Sequence, residues 1–125
     1  MATMLIVDDE ESVRGMFKRV LKHKLEEFTL LEASSGEEAL LIVNTTGIKV
    51  DLILTDLAMR GMGGIQLVDM VCATHPEIST VLITAHLIKK AEHKANHYLQ
   101  KPISNDELAS AVVQVSGGKF VLKAK

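Results

Sequence analysis

Three aspartates stand where apolar runs stop. Asp8 and Asp9 follow Met4-Leu5-Ile6-Val7, and Asp56 follows Leu52-Ile53-Leu54-Thr55. Each run suits a buried strand, and in an open parallel sheet ligands bind beyond the carboxyl ends of the strands. If both strands are central and parallel, the carboxylates meet at one edge of the sheet. Like charges that close repel one another unless a cation neutralises them. Hard oxygen ligands suit Mg²⁺, which typically takes one or two carboxylates and completes its shell with water and phosphate oxygens. Two further strand ends add to the set: Thr80-Val81-Leu82-Ile83-Thr84 closes on a hydroxyl and Tyr98-Leu99-Gln100-Lys101 on an ammonium. A cation, a hydroxyl and an ammonium around a carboxylate nucleophile are what phosphoryl transfer requires, since its catalysis is mainly positioning and stabilisation of charge on the equatorial oxygens.

The elements that must hold these groups alternate along the chain, the sign of a parallel α/β sheet. After the first strand, Val13, Met16, Phe17, Val20 and Leu21 recur at helical spacing, with Arg14, Lys18, Arg19 and Lys22 as a basic stripe on the other face. A second strand over residues 28–33 leads to Ser35 and Glu38, a capping box that opens a helix through Ala39, Leu40 and Val43. Thr46-Gly47 turns the chain into the third strand, residues 51–55. Beyond Asp56, Gly61, Gly63 and Gly64 permit backbone angles that other residues resist. Leu67, Val68, Val71 and Cys72 form the buried stripe of the third helix, which His75-Pro76 closes. A short helix is expected from His86 to about Lys94, then a fifth strand over residues 97–100. The Lys101-Pro102 bond is a candidate cis peptide. Ser104 and Glu107 make a second capping box, ahead of a helix burying Leu108, Ala111, Val112 and Val115 and ended by Gly117-Gly118. One domain is expected over residues 1–118, with 119–125 a frayed end or the start of a linker.

Composition narrows the function classes. With 47% apolar and 24% charged residues, the chain is a folded globular protein. Fourteen basic against sixteen acidic residues leave a charge of −2, which makes no case for nucleic acid or an anionic membrane. No apolar run is long enough to span a bilayer, and Met1-Ala2-Thr3 leads straight into the first strand, so the expectation is a cytoplasmic protein. The lone Cys72 cannot pair within the chain and reads as a small core residue.

Five motifs in order carry a family resemblance: Val7-Asp8-Asp9-Glu10, the loop from Asp56 through Met59 and Met62 to Gly64, Ile83-Thr84-Ala85, Tyr98-Leu99, and Lys101-Pro102. Over residues 3–116 the chain resembles a response-regulator receiver domain, the phosphoacceptor half of bacterial two-component signalling. The resemblance implies a flavodoxin-like, doubly wound, five-stranded parallel sheet in the order 2-1-3-4-5. It also implies that Asp56 accepts the phosphoryl group from a histidine kinase or histidine phosphotransfer protein. Asp8, Asp9, Asp56 and the backbone carbonyl of Ala58 would hold Mg²⁺. Thr84 would hydrogen-bond the phosphoryl group, Lys101 would counter its charge, and Tyr98 would be the switch aromatic that turns inward. The expected product is a signalling state rather than a released molecule. Its downstream effector is open, and the protein would be a monomer that can dimerise on phosphorylation.

Two features depart from the pattern. Receivers generally carry proline where this chain has Arg60, which could reach an incoming phosphodonor. Only 16 residues separate Thr84 from Lys101, fewer than is general in the family, so helix four should be short or irregular. Blander readings compete with the sharp ones. Asp8 and Asp9 can cap the first helix, Thr84 and Lys101 can be ordinary strand ends, and Tyr98 can be a core aromatic with a wet tip. His86, His93 and His97, at offsets of seven and four, would line up for a metal only on a continuous helix, and solvated histidines are the simpler expectation. The main functional rival is a pseudo-receiver, a binding module that no longer depends on phosphorylation. An enzyme is the other: a phosphatase would need a second carboxylate two residues after Asp56, where Ala58 stands, and a flavin or nucleotide site would need a Gly-rich loop after the first strand.

Overall fold

The computed structural model describes residues 1–85 and 93–124. Each of the five runs read as a strand becomes one, and the strands pair side by side in parallel. The order along the chain is β1 (Thr3–Val7), α1 (Glu11–Lys24), β2 (Thr29–Ala33), α2 (Gly36–Val43), β3 (Leu52–Asp56), α3 (Gly64–Thr74), β4 (Ser79–Thr84), β5 (His97–Gln100) and α4 (Asn105–Val115). In space the strands run β2-β1-β3-β4-β5, the doubly wound order expected. The register sets Val7 beside Thr55, Asp56 beside Ile83 and Thr84 beside Gln100, so the chemically interesting residues come off one edge together.

Alternation along each strand feeds two cores, because successive side chains of a strand point to opposite faces. Met4, Ile6, Leu52, Leu54, Val81 and Ile83 face Phe17 and Leu21 of α1 and Leu108 and Val112 of α4. Leu5, Val7 and Ile53 face Ala39 and Val43 of α2 and Leu67 and Val71 of α3. β1 and β3 are buried on both faces, which is why they read as unbroken apolar runs.

Several local expectations are corrected. Cys72 is exposed. The core face of α3 runs through Gly64, Leu67, Val68 and Val71, and one turn further on each step of four residues has drifted off the sheet. Met16 is likewise exposed, and α1 buries Phe17 and Leu21 instead. Among the loop glycines only Gly61 has a positive φ, 73°. Gly64 is needed for room: a Cβ there would collide with the carbonyl oxygen of Asp56. Residues 119–123 pack on the domain. Phe120 is buried edge-on against Phe28 with centroids 5.6 Å apart, and Leu122 bridges antiparallel to Leu25. The Lys101–Pro102 bond is cis, as anticipated. The short helix expected from His86 falls mostly on residues 86–92 and so lies outside the described residues, while His93 and Lys94 are not helical. No helix among the described residues is long and apolar enough to cross a membrane.

Candidate functional site

β1 delivers Asp8 into the interior of the sheet edge. Its N–H donates to the carbonyl of Ala33, 3.2 Å away, and the residue is only 1% exposed. Oδ1 accepts the N–H of Glu10 at 2.8 Å, a turn ahead of α1 and not a cap of it, since the N-cap is Glu10 and no side chain caps it. The contact uses only half the carboxylate: Oδ2 is buried with no hydrogen-bond partner. Buried polar atoms are nearly always paired, and one that is not calls for an explanation such as a catalytic role, a water or an ion.

β3 brings up Asp56 and the turn after β5 brings up Lys101. The ammonium sits 3.8 Å from Asp56 Oδ1, with the lysine about a third exposed and the aspartate mostly covered. Lys101 is tied to the sheet through its N–H, which donates to the Thr84 carbonyl at 2.8 Å. Thr84 is itself buried at the end of β4, one residue on from the Ile83 that pairs with Asp56. Asp8, Asp56, Thr84 and Lys101 thus converge on one edge.

Burial raises the Asp8 carboxyl above its ordinary range; Asp56 and Asp9 push the same way, while the Glu10 N–H and Lys101 pull back. Burial also raises Asp56, helped by Asp9 and opposed by Lys101 and by hydrogen bonds from the backbone of Leu57 and Ala58. Acids held protonated-prone in this way are stabilised in their charged form by a cation. The three aspartates nevertheless do not form a cage: among the described residues no three acidic, histidine or cysteine side chains converge tightly enough to hold a metal by themselves. Asp9 is drawn elsewhere, its Oδ2 accepting the Arg60 N–H at 3.3 Å with Arg60 Nε 3.6 Å away. The donor set still fits Mg²⁺, which needs one or two carboxylates and takes its remaining oxygens from backbone and water.

Tyr98 lies half-buried on β5 against Val68, Leu82 and Ala95, its ring edge-on to His93 at 5.5 Å. His93 is therefore buried rather than solvated, and its Nδ1 accepts the Ala95 N–H. His97 is exposed and His86 lies outside the described residues, so the histidine trio forms no described metal site. Met59 and Met62 pack on the core, as expected of them.

Sequence reasoning missed the supporting contacts of two residues, Arg14 and Glu37. Arg14, assigned to a solvated stripe, is largely covered: Nη1 donates to the Asp8 carbonyl at 2.6 Å and Nε reaches Glu32 at 3.1 Å. Glu37 accepts the Met62 N–H at 3.4 Å and steadies the loop beyond Asp56. Gly64 donates its N–H to the Leu57 carbonyl at 2.9 Å in the same loop. Helical spacing shows which face a residue occupies, not which neighbour waits there; a helix arginine six residues past a strand-end aspartate was the only available signal.

The sheet order and an acidic edge countered by one lysine define a flavodoxin-like α/β domain built around a strand-end carboxylate. The chain belongs to the response regulator receiver domain family, whose model matches residues 4–113. It is therefore a signalling domain of the two-component type. It is 33% identical over 118 residues to the positive alginate biosynthesis regulatory protein of Pseudomonas aeruginosa, covering 90% of this chain and 46% of that protein. It is 30% identical to the response regulator UvrY of Escherichia coli, covering 95% of this chain and 56% of that one. The chain thus spans about half the length of these curated relatives. Among solved structures, the response regulator TrrA of Thermotoga maritima, determined in complex with Mg²⁺-BeF, superposes with a TM-score of 0.78 at 27% identity, covering 92% of this chain and 99% of that one.

Proposed function

We propose that this domain is a phosphorylation-activated switch in which Asp56 accepts a phosphoryl group from a histidine kinase or histidine phosphotransfer protein. The observation that carries the reading is the pairing of Asp56 with Lys101 at 3.8 Å beside a buried Asp8 oxygen that has no partner. An Asp56 carboxylate oxygen attacks phosphorus, the P–N bond to the donor imidazole breaks with its electron pair, and that ring nitrogen takes up a proton. Asp8, Asp9, Asp56 and the Ala58 carbonyl are the groups that would hold Mg²⁺, which when bound supplies positive charge to the carboxylates and the phosphoryl oxygens. Lys101 neutralises the transferred group from the β5 side. Thr84 reaches it by hydrogen bonding, and Tyr98 follows Thr84 inward.

The output is a change of shape. Phosphorylation adds roughly −1.5 to −2 charges and new acceptor oxygens, and switching a two-state equilibrium fully takes about 5.5 kcal/mol. Charge-assisted contacts to Lys101 and Thr84 are of the strength needed. A partner protein or a fused domain would read the new surface, by a monomer or by a dimer formed on phosphorylation. A pseudo-receiver explains less, since a passive binding module has no use for the desolvated acid at residue 8.

The test is an adduct. With Mg²⁺ and beryllofluoride the amide spectrum should shift around residues 56, 84 and 101, and acetyl phosphate should add one phosphoryl mass. Both changes should vanish in Asp56→Asn; an unchanged spectrum in the native chain would favour the pseudo-receiver.

A further inference from the structure

Arg60 stands beside Asp9 and acts on a single oxygen of it. Asp9 Oδ2 accepts the Arg60 N–H at 3.3 Å and lies 3.6 Å from Arg60 Nε. Proline, general at this place in the family, has neither the N–H nor the cation. Asp9 also contributes to the repulsion felt by both Asp8 and Asp56. An arginine that holds Asp9 therefore relieves the crowd of acids when no metal is there to do so. The pair is open to water, with the Arg60 side chain 91% exposed and that of Asp9 21%. Such pairs are weak and easily exchanged, which suits a contact that must give way.

We infer that Arg60 is a positioning residue that restrains Asp9 while the site holds no divalent cation and releases it when one binds. The inference rests on the metal site proposed above and adds to it a built-in competitor. Release has a second effect: Mg²⁺ takes over Asp9 and the freed guanidinium stands at the mouth of the site, a positive charge on the side from which an anionic phosphodonor arrives.

A double-mutant cycle read by Mg²⁺ affinity tests this, with amide NMR of the full chain titrated with MgCl₂ and no phosphodonor. Arg60→Ala should bind Mg²⁺ about two- to fivefold more tightly than the native chain, the range an exposed pair can supply. Arg60→Lys should return most of the way to native affinity by restoring the charge. In an Asp9→Asn background, Arg60→Ala should change nothing, and the Arg60 Nε–Hε resonance of the native chain should move as Mg²⁺ saturates. Equal affinities for native and Arg60→Ala would overturn the inference. So would a gain of the same size in both backgrounds, because the effect would then be general charge and not release of Asp9. A native chain that never saturates with Mg²⁺ would remove the metal site itself, whereas saturation without the Arg60 effect removes only the role of Arg60.

Discussion

Asp8 rests one oxygen on the Glu10 N–H and leaves the other buried with nothing to bind. The cost of that arrangement depends on pH in a definite direction. Its carboxyl is raised by burial, so over the window just above the ordinary carboxylate range the folded chain holds more protons than the unfolded one. The stability tied to this group is complete in acid and is lost as pH rises through the raised value. At neutral pH and without divalent cations, Asp8→Asn should therefore raise the melting temperature, since the amide keeps the Glu10 contact and sheds the charge. The advantage should fade as the pH falls through the raised value and be gone below about 3.9, the ordinary aspartate value. MgCl₂ should stabilise the native chain and not the variant. A melting temperature unchanged by Asp8→Asn at pH 7 would mean that the acid is not held against its preference. The residue types at the site were legible because each ends an apolar run. The contacts of Arg14 and Arg60 were not, since both link segments distant in sequence through side chains long enough to reach several neighbours.

The loop between β3 and α3 is shaped by where it must pass. Gly64 begins α3 directly over the Asp56 carbonyl, with Leu57 Cα and Leu82 Cδ1 each 2.9 Å from where a Cβ would be. Gly64→Ala should cost about 1–3 kcal/mol in urea denaturation, the usual range for overpacking, and should disturb Asp56 along with it. Gly15 is the control. It lies within α1 with nothing within 4 Å of where a methyl group would sit, so Gly15→Ala should gain about 0.5–1 kcal/mol. If the two changes cost the same, crowding at Gly64 is not what selects glycine there. Capping chemistry carried well from sequence to structure: Ser104 and Glu107 form the full reciprocal box. At α2, the Ser35 hydroxyl accepts the Glu38 N–H, but Glu38 Oε1 takes the Ser34 N–H instead of closing the box. Local hydrogen bonds of this kind need no distant partner, which is why four residues of sequence suffice to announce them.

The chain beyond α4 returns to the opposite end of the sheet and is sewn to it. Glu26 donates its N–H to the Val121 carbonyl at 2.7 Å, Lys123 donates to that of Lys24 at 2.9 Å, and Lys119 Nζ sits 3.4 Å from the buried Asp51. Phe120 fills the space beneath Phe28 and belongs to the same core as Met4 and Leu21. Phe120→Ala should cost about 3–5 kcal/mol, as deletion of a buried aromatic does. A urea midpoint that did not move would show residues 119–123 to be a loose appendage. Removing these residues would thus trim the fold itself, a conclusion no composition or periodicity of a seven-residue stretch could support. The run of strands and the residue types at each strand end were present in the chain, because burial on both faces writes itself as unbroken apolar runs and a strand end is a change of residue type; the sheet order came with the family resemblance. Only the tertiary structure decided that Asp9 leans to Arg60, that Cys72 faces water, and that Phe120 is core. Those outcomes depend on which surfaces meet across long separations, and a one-dimensional pattern records the period of a face but not its neighbour.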